Sequence, residues 1–149
     1  MRYLLDSDIL SDFYESSSAG HQILAARFSA LKESDMVAVS ILTLYEFEYG
    51  YTKAPEDKKP EIRRRTESAE RDFEIVALST QAARIYGKLK GALVDARGLD
   101  KKRSRLHNID IMIAASAIHE QWTLVSSDAI YNELQRLDAT LVVENWLKA

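Results

Sequence analysis

The side chains able to do chemistry in this sequence are carboxylates. With no cysteine in 149 residues, thiolate nucleophiles, thiolate metal ligands and disulfides are all excluded. Acids instead recur just after apolar runs: Asp6 and Asp8 follow Leu4-Leu5, and Asp128 follows Leu124-Val125 and the polar pair Ser126-Ser127. Asp110 heads the apolar stretch Ile111 to Ala115, where the positive end of a helix favours a negative charge. Glu46 falls at helical spacing from Leu42, Tyr49 and Gly50. Glu48 falls at the same kind of spacing from Leu44 and Tyr51, so periodicity does not choose between them. Taken singly, each acid also suits a helix cap or a solvated surface. Gathered without lysine or arginine among them, they would repel and raise one another's pKa values, which is tolerated mainly around a hard cation. One or two Mg²⁺ or Mn²⁺ ions held this way can polarise a phosphoryl oxygen, lower the pKa of water and orient in-line attack at phosphorus.

Whether the acids gather depends on the elements that carry them. Arg2 to Leu5, Met36 to Val39, Ile75 to Leu78, Trp122 to Val125 and Thr140 to Val143 read as short buried strands. Helices are expected over Gln22 to Lys32, from an N-cap at Ser40 to near Ala54-Pro55, and over a charged stretch from Pro60 to Phe73. Another starts from Ser79 or Thr80 with the stripe Leu78, Ala82, Ile85, Tyr86, Leu89 and Leu93; two more open near Asn108 and span Ala129 to Leu137. Short strands alternating with longer helices require crossovers. The fold class is therefore α/β: one three-layer α/β/α domain over 1–149, with a central, mostly parallel sheet of four or five short strands. Ligands of such sheets bind beyond the carboxyl ends of the strands, where Asp6, Asp8 and Asp128 are expected.

Hydrophobic residues make up 46% of the chain, which excludes intrinsic disorder, and 20 Lys and Arg against 23 Asp and Glu give a net charge of -3. That total argues against coating nucleic acid through net charge, but the positive charges gather locally. One group is Lys58, Lys59, Arg63, Arg64 and Arg65; the other is Arg97, Lys101, Lys102, Arg103 and Arg105. No apolar run approaches the roughly 18 to 20 residues of a membrane span, and Asp6 interrupts the first leucines before a signal-peptide apolar region can form. A cytoplasmic protein with no membrane partner is expected.

These acids stand in an order that resembles the PIN-domain nucleases, and within them the VapC-type toxins of toxin-antitoxin modules. The opening D-x-N motif is matched by Leu5-Asp6-Ser7-Asp8, and the second motif by Ser40 through Gly50, with Glu46 four residues before the glycine. Asp110-Ile111-Met112-Ile113-Ala114-Ala115 resembles the third motif and Thr123 through Asp128 the fourth, with Ala83 to Leu89 in its usual place between the second and third. The resemblance implies an acidic metal site of Asp6, Glu46, Asp110 and Asp128, selects Glu46 over Glu48, and implies RNA cleavage leaving a 5′-phosphate and a 3′-hydroxyl. It also implies a cognate antitoxin protein, a homodimer, and contact with DNA only through the antitoxin. Two residues depart from the family pattern: Asp8 replaces the usual Asn, and Ser127 stands where many members have Asn. Asp8 and Ser126 are auxiliary candidates, and the departures bear on whether one ion or two are held.

Around this site, Lys101, Lys102, Arg103 and Arg105 precede Asp110 closely enough to position RNA, although a charge run is equally a solvated loop. His107, three residues before Asp110, is the histidine placed to lie near a bound phosphate. Trp122 and Trp146 read as core residues. Two other functions compete. Asp6-Ser7-Asp8 after a strand resembles the nucleophile motif of haloacid-dehalogenase-type phosphatases, with Asp6 attacking phosphorus, but only Asp128 follows a later strand where that family needs an acidic pair. The other is a catalytically silent PIN module that binds RNA or protein.

Overall fold

The computed structural model describes residues 1–148, so the last residue of the expected 1–149 domain lies outside the described residues. Its elements are β1 (Arg2–Leu5), α1 (Ser7–Tyr14), α2 (Ala19–Ser29), β2 (Met36–Ser40), α3 (Ile41–Lys53) and α4 (Lys59–Asp72). There follow β3 (Glu74–Val76), α5 (Thr80–Arg97), α6 (Asn108–Glu120), β4 (Thr123–Val125), α7 (Ile130–Leu137) and β5 (Val142–Glu144). All five strands pair in parallel, in the order β3-β2-β1-β4-β5. The chain leaves β1 for β2 and β3 on one side and returns past it to β4 and β5 on the other. The crevice beyond the ends of β1 and β4 is therefore the point where strand order reverses.

Side chains of successive strand residues point to opposite faces, and the two cores follow that alternation. Leu4, Ala38 and Leu124 pack with Leu89 and Leu93 of α5, Ile111 and Ala114 of α6, and Ile130, Tyr131 and Leu134 of α7. Leu5, Val39 and Val125 face the other way, onto Ile9 and Leu10 of α1, Leu24 of α2, Leu44 of α3 and Ala69 of α4. Burial on both faces explains why the central strands read as continuous apolar runs.

Local chemistry sets the helix starts. Ser40 Oγ accepts from Leu42 N at 3.1 Å, and Ser79 rather than Thr80 caps α5, accepting from Ala82 N at 3.1 Å. Gly98 ends α5 in the left-handed conformation (φ 62°). Several elements differ from what the sequence pattern predicts: α2 is Ala19–Ser29 rather than Gln22 to Lys32, and β5 is Val142–Glu144 rather than Thr140 to Val143. α1 has no counterpart among the expected helices: the polar Asp6-Ser7-Asp8 leads straight into it, with Asp8 in its first turn and Ile9 and Leu10 buried. The third strand is Glu74–Val76 rather than Ile75 to Leu78, and Leu78 is 55% exposed because the chain has left the sheet before reaching it.

Candidate functional site

Asp6 keeps extended backbone angles (φ -78°, ψ 162°), and its N–H donates to Val125 O at 2.9 Å, so the β1–β4 ladder runs one residue past the strand. The alternation continues with it: Asp6 falls on the Leu4 face, toward α6 and α7. It is 5% exposed. Ser126, on the same face one residue beyond β4, donates from Oγ to Asp6 Oδ2 at 2.9 Å. Burial first, then the charge of Asp8, push the Asp6 carboxyl up to about 7 against the hydrogen bond from Ser126, with a smaller upward push from Asp110.

Asp110 projects from the first turn of α6, with Oδ2 3.0 Å from His107 Nδ1. His107 is the N-cap residue of that helix and holds a left-handed backbone (φ 65°), uncommon for a residue with a Cβ. Glu46, half-buried on α3, is raised by burial and by the Asp110 charge. Glu48, two residues on, is taken by Arg63, whose Nη1 and Nη2 donate to its two oxygens at 2.5 and 3.1 Å. The structure thus separates two glutamates that periodicity left equivalent.

The two departures from the family pattern turn out to be partners. Ser127 donates from its backbone N to Asp8 Oδ2 at 3.0 Å and from Oγ to the same oxygen, while Ile9 N donates to Asp8 Oδ1 at 2.7 Å. Asp8 is thereby held against the β4 end by the chain's own donors, and its charge acts on Asp6 at a distance. Asp128 is exposed at the rim, where Oδ1 accepts from Ile130 N at 3.0 Å and its own N–H donates to Ser126 Oγ at 3.0 Å. Among the described residues, no three carboxylate or imidazole groups surround a common point.

One residue of the site went unread in the sequence. Tyr131 of α7 is fully buried, and its Oη donates toward Asp6 Oδ1 at 3.3 Å and Asp110 Oδ1 at 3.4 Å. Its position in an amphipathic helix reads simply as core, and nothing local announces partners 125 and 21 residues away.

The basic clusters part company. Arg63, Arg64, Arg65 and Lys59 are engaged by Glu48, Glu61, Glu15 and Glu56. Lys101, Lys102, Arg103 and Arg105 are exposed, the first two in the turn leading into a short 3-10 segment (Arg103–Arg105) that ends two residues before His107, and of the four Arg103 has a nearby acid, Asp100 at 3.5 Å. Trp122 and Trp146 are buried, as expected of core residues.

As a donor set, the crevice offers hard oxygens, and Asp6, Asp110 and Glu46 have no lysine or arginine partner among the described residues. That excess of unbalanced negative charge fits a hard divalent cation. It fits a phosphatase nucleophile less well, because Asp6 is met by hydroxyls and other acids and no lysine accompanies it.

The PIN domain family model matches residues 3–137. A ribonuclease VapC2 from Rickettsia felis is 30% identical over 118 residues, which span 79% of this chain and 80% of that protein. Among solved structures, VapBC2 from Rickettsia felis, bound to a DNA fragment from the promoter, superposes with a TM-score of 0.75 at 23% identity, covering 98% of this chain and 99% of that one. VapBC-1 from nontypeable Haemophilus influenzae has the same TM-score at 22% identity (99% and 100% covered), as does FitAcB from Neisseria gonorrhoeae at 21% (99% of each). At these identities the structural likeness shows the fold.

Proposed function

The chain belongs to the PIN domain family, and from that premise we propose that it is a metal-dependent endoribonuclease of the VapC type, a toxin held in check by a cognate antitoxin. The observation that carries the chemistry is the crevice in which Asp6 and Asp110 face one phenol oxygen and Glu46 stands near enough to feel the Asp110 charge, none of the three having a lysine or arginine partner among the described residues. Asp6, Asp110 and Glu46 would hold Mg²⁺ or Mn²⁺, with Asp128 adding its free oxygen from the rim. Such an ion supplies Lewis-acid stabilisation of a phosphoryl oxygen and a water of lowered pKa.

The chain's own residues do the positioning. Ser126 fixes one oxygen of Asp6, His107 stands against one oxygen of Asp110, and the β1–β4 ladder sets the distance between the strand ends. Asp8 adds negative charge beside the site while its own oxygens stay bonded to Ser127 and Ile9. The exposed cations Lys101, Lys102, Arg103 and Arg105 are the proposed contacts to RNA phosphates. The Rickettsia felis relative, a ribonuclease, and the toxin-antitoxin complexes among the structural neighbours support the RNA substrate and the antitoxin partner. A homodimer and a cytoplasmic setting accompany this reading, and no helix among the described residues is long and apolar enough to cross a membrane.

The test is cleavage of a labelled RNA by protein freed of contaminating ribonuclease. Activity lost in EDTA and restored by Mg²⁺ or Mn²⁺ is the expected result. Undiminished cleavage in excess chelator rejects the metal role, and no cleavage with either ion present favours the silent binding module.

A further inference from the structure

Four hydrogen-bonded steps cross the crevice from one strand end to the far helix. Ser126 Oγ bonds Asp6 Oδ2, Asp6 Oδ1 faces Tyr131 Oη, Tyr131 Oη faces Asp110 Oδ1, and Asp110 Oδ2 faces His107 Nδ1. The five residues come from the β4 end, the β1 end, α7, the first turn of α6 and the residue before it. Tyr131 is the middle link. Its ring lies wholly in the α6–α7 side of the core, so only the hydroxyl reaches the acids.

A phenylalanine would fill the same ring space, and an unpaired buried hydroxyl is costly, so a phenol here is explained by what its oxygen meets. That oxygen has one proton and two carboxylates before it. Two like charges meeting at one donor are drawn to it and kept from swinging apart. Ser126 and His107 restrain the outer oxygens of the same two acids, so removing the phenol hydroxyl leaves each acid tethered on one side only.

We infer that Tyr131 is a positioning residue: its hydroxyl holds Asp6 and Asp110 at the spacing and orientation with which they receive a divalent cation. The inference rests on the proposed metal-dependent reading, and it assigns the phenol no contact with substrate, because it is buried behind the acids.

Tyr131→Phe keeps the ring and deletes the hydroxyl. Mn²⁺ affinity should be measured by titration calorimetry on the full chain, with melting in EDTA as the fold control and RNA cleavage read as kcat and KM separately. We expect affinity for Mn²⁺ to fall about tenfold, the loss typical of a hydrogen bond to a charged group. We also expect kcat to fall at subsaturating metal while KM for RNA holds, and the melting temperature in EDTA to stay near wild type. Mn²⁺ affinity and kcat equal to wild type overturn the inference, as does a lowered melting temperature with unaltered Mn²⁺ affinity. If wild type binds Mn²⁺, the variant binds it more weakly and neither cleaves RNA, the positioning role stands and the nuclease reading falls. If both bind and cleave alike, the nuclease reading stands and the positioning role falls.

Discussion

The crevice and the outer face of α3 and α4 contain the same kinds of acid, treated in opposite ways. On the outer face each of four glutamates has a basic partner: Glu48 with Arg63, Glu15 with Arg65, Glu61 with Arg64 and Arg65, Glu56 with Lys59. In the crevice Asp6, Asp110 and Glu46 have neutral hydroxyls, an imidazole and one another. The contrast is sharpest on α3 itself, where Glu46 and Glu48 are two positions apart and meet opposite surroundings. Exposed pairs of the outer-face kind each add little to stability, since water screens them; Arg63–Glu48 ties α4 to α3, Arg65–Glu15 ties it to the end of α1, and the others join neighbours along one segment. Acids left without a lysine or arginine partner are instead a standing cost to the fold, which is what the proposed metal role would explain.

The largest expected effect follows directly. Asp6→Asn and Asp110→Asn should each reduce RNA cleavage at least ~100-fold, the scale on which electrostatic groups at the reacting centre act. The same substitutions should leave the metal-free protein melting at or above the wild-type temperature, because an amide relieves the repulsion. A variant that loses activity because it melts early would break the contrast. Next, Glu46→Gln should reduce cleavage about tenfold or more, and Glu48→Gln less than about twofold, since the second removes only an exposed ion pair. Equal losses at both would show that pairing by arginine does not distinguish function from docking.

A smaller effect separates the regions by pH. Asp6 titrates near 7 in the fold against its ordinary 3.8, so the folded, metal-free protein binds the extra proton between those values. Its stability is therefore highest below pH 4 as far as this group is concerned and declines as pH rises toward 7, by up to ~1.4 kcal/mol for each pH unit between the two values. Glu15 on the outer face runs the other way: its hydrogen bonds from Ser17 and its Arg65 partner hold it down to about 2, so its contribution is present above its ordinary 4.5 and lost on acidification. Urea unfolding in EDTA at pH 5 and 7.5 checks the first. Asp6→Asn should abolish most of the difference, and an unchanged difference would reassign it. Smallest for the chemical step is the change of Lys101, Lys102, Arg103 and Arg105 to Gln. RNA affinity measured across salt in Ca²⁺ should show the log–log slope shallower by about 1 to 3 units, at ~0.7 for each phosphate no longer neutralised. An unchanged slope would make this turn a solubilising loop.

Much of this frame was legible because burial on both faces makes a strand an uninterrupted apolar run and because serine caps announce helices. β1, β2, β4 and the start of α3 follow from Leu4-Leu5, Val37 to Val39, Leu124-Val125 and Ser40. What local pattern hides is a residue with two tasks. Asp6-Ser7-Asp8 looks like a polar break, yet it ends a strand, begins α1 and supplies the site within three residues. Leu78 looks like the last residue of a strand, but a three-residue edge strand stops before it. The pairing of Asp8 with Ser127 and the reach of Tyr131 arise only from tertiary placement, across 119 and 125 residues. The four candidate acids are picked out by their order along the chain and the resemblance it carries, whereas their surroundings, above all the exposure of Asp128 and its bond to the α7 backbone, are set by the fold alone.

The ladder between β1 and β4 has a consequence in time as well as in space. It pairs Tyr3 with Thr123 and Leu5 with Val125, so the central strand of the sheet waits for a neighbour made almost at the far end of the chain. Closing so long a loop is among the slower events of folding and cannot begin before both partners exist. A growing polypeptide emerging from the ribosome as far as Gln121 already contains Asp6, Glu46 and Asp110, but it lacks the strand, Ser126 and Tyr131 that hold two of them in register. Activity at the crevice is therefore expected only once translation has passed that point, and a fragment that stops at Gln121 is expected to be inert.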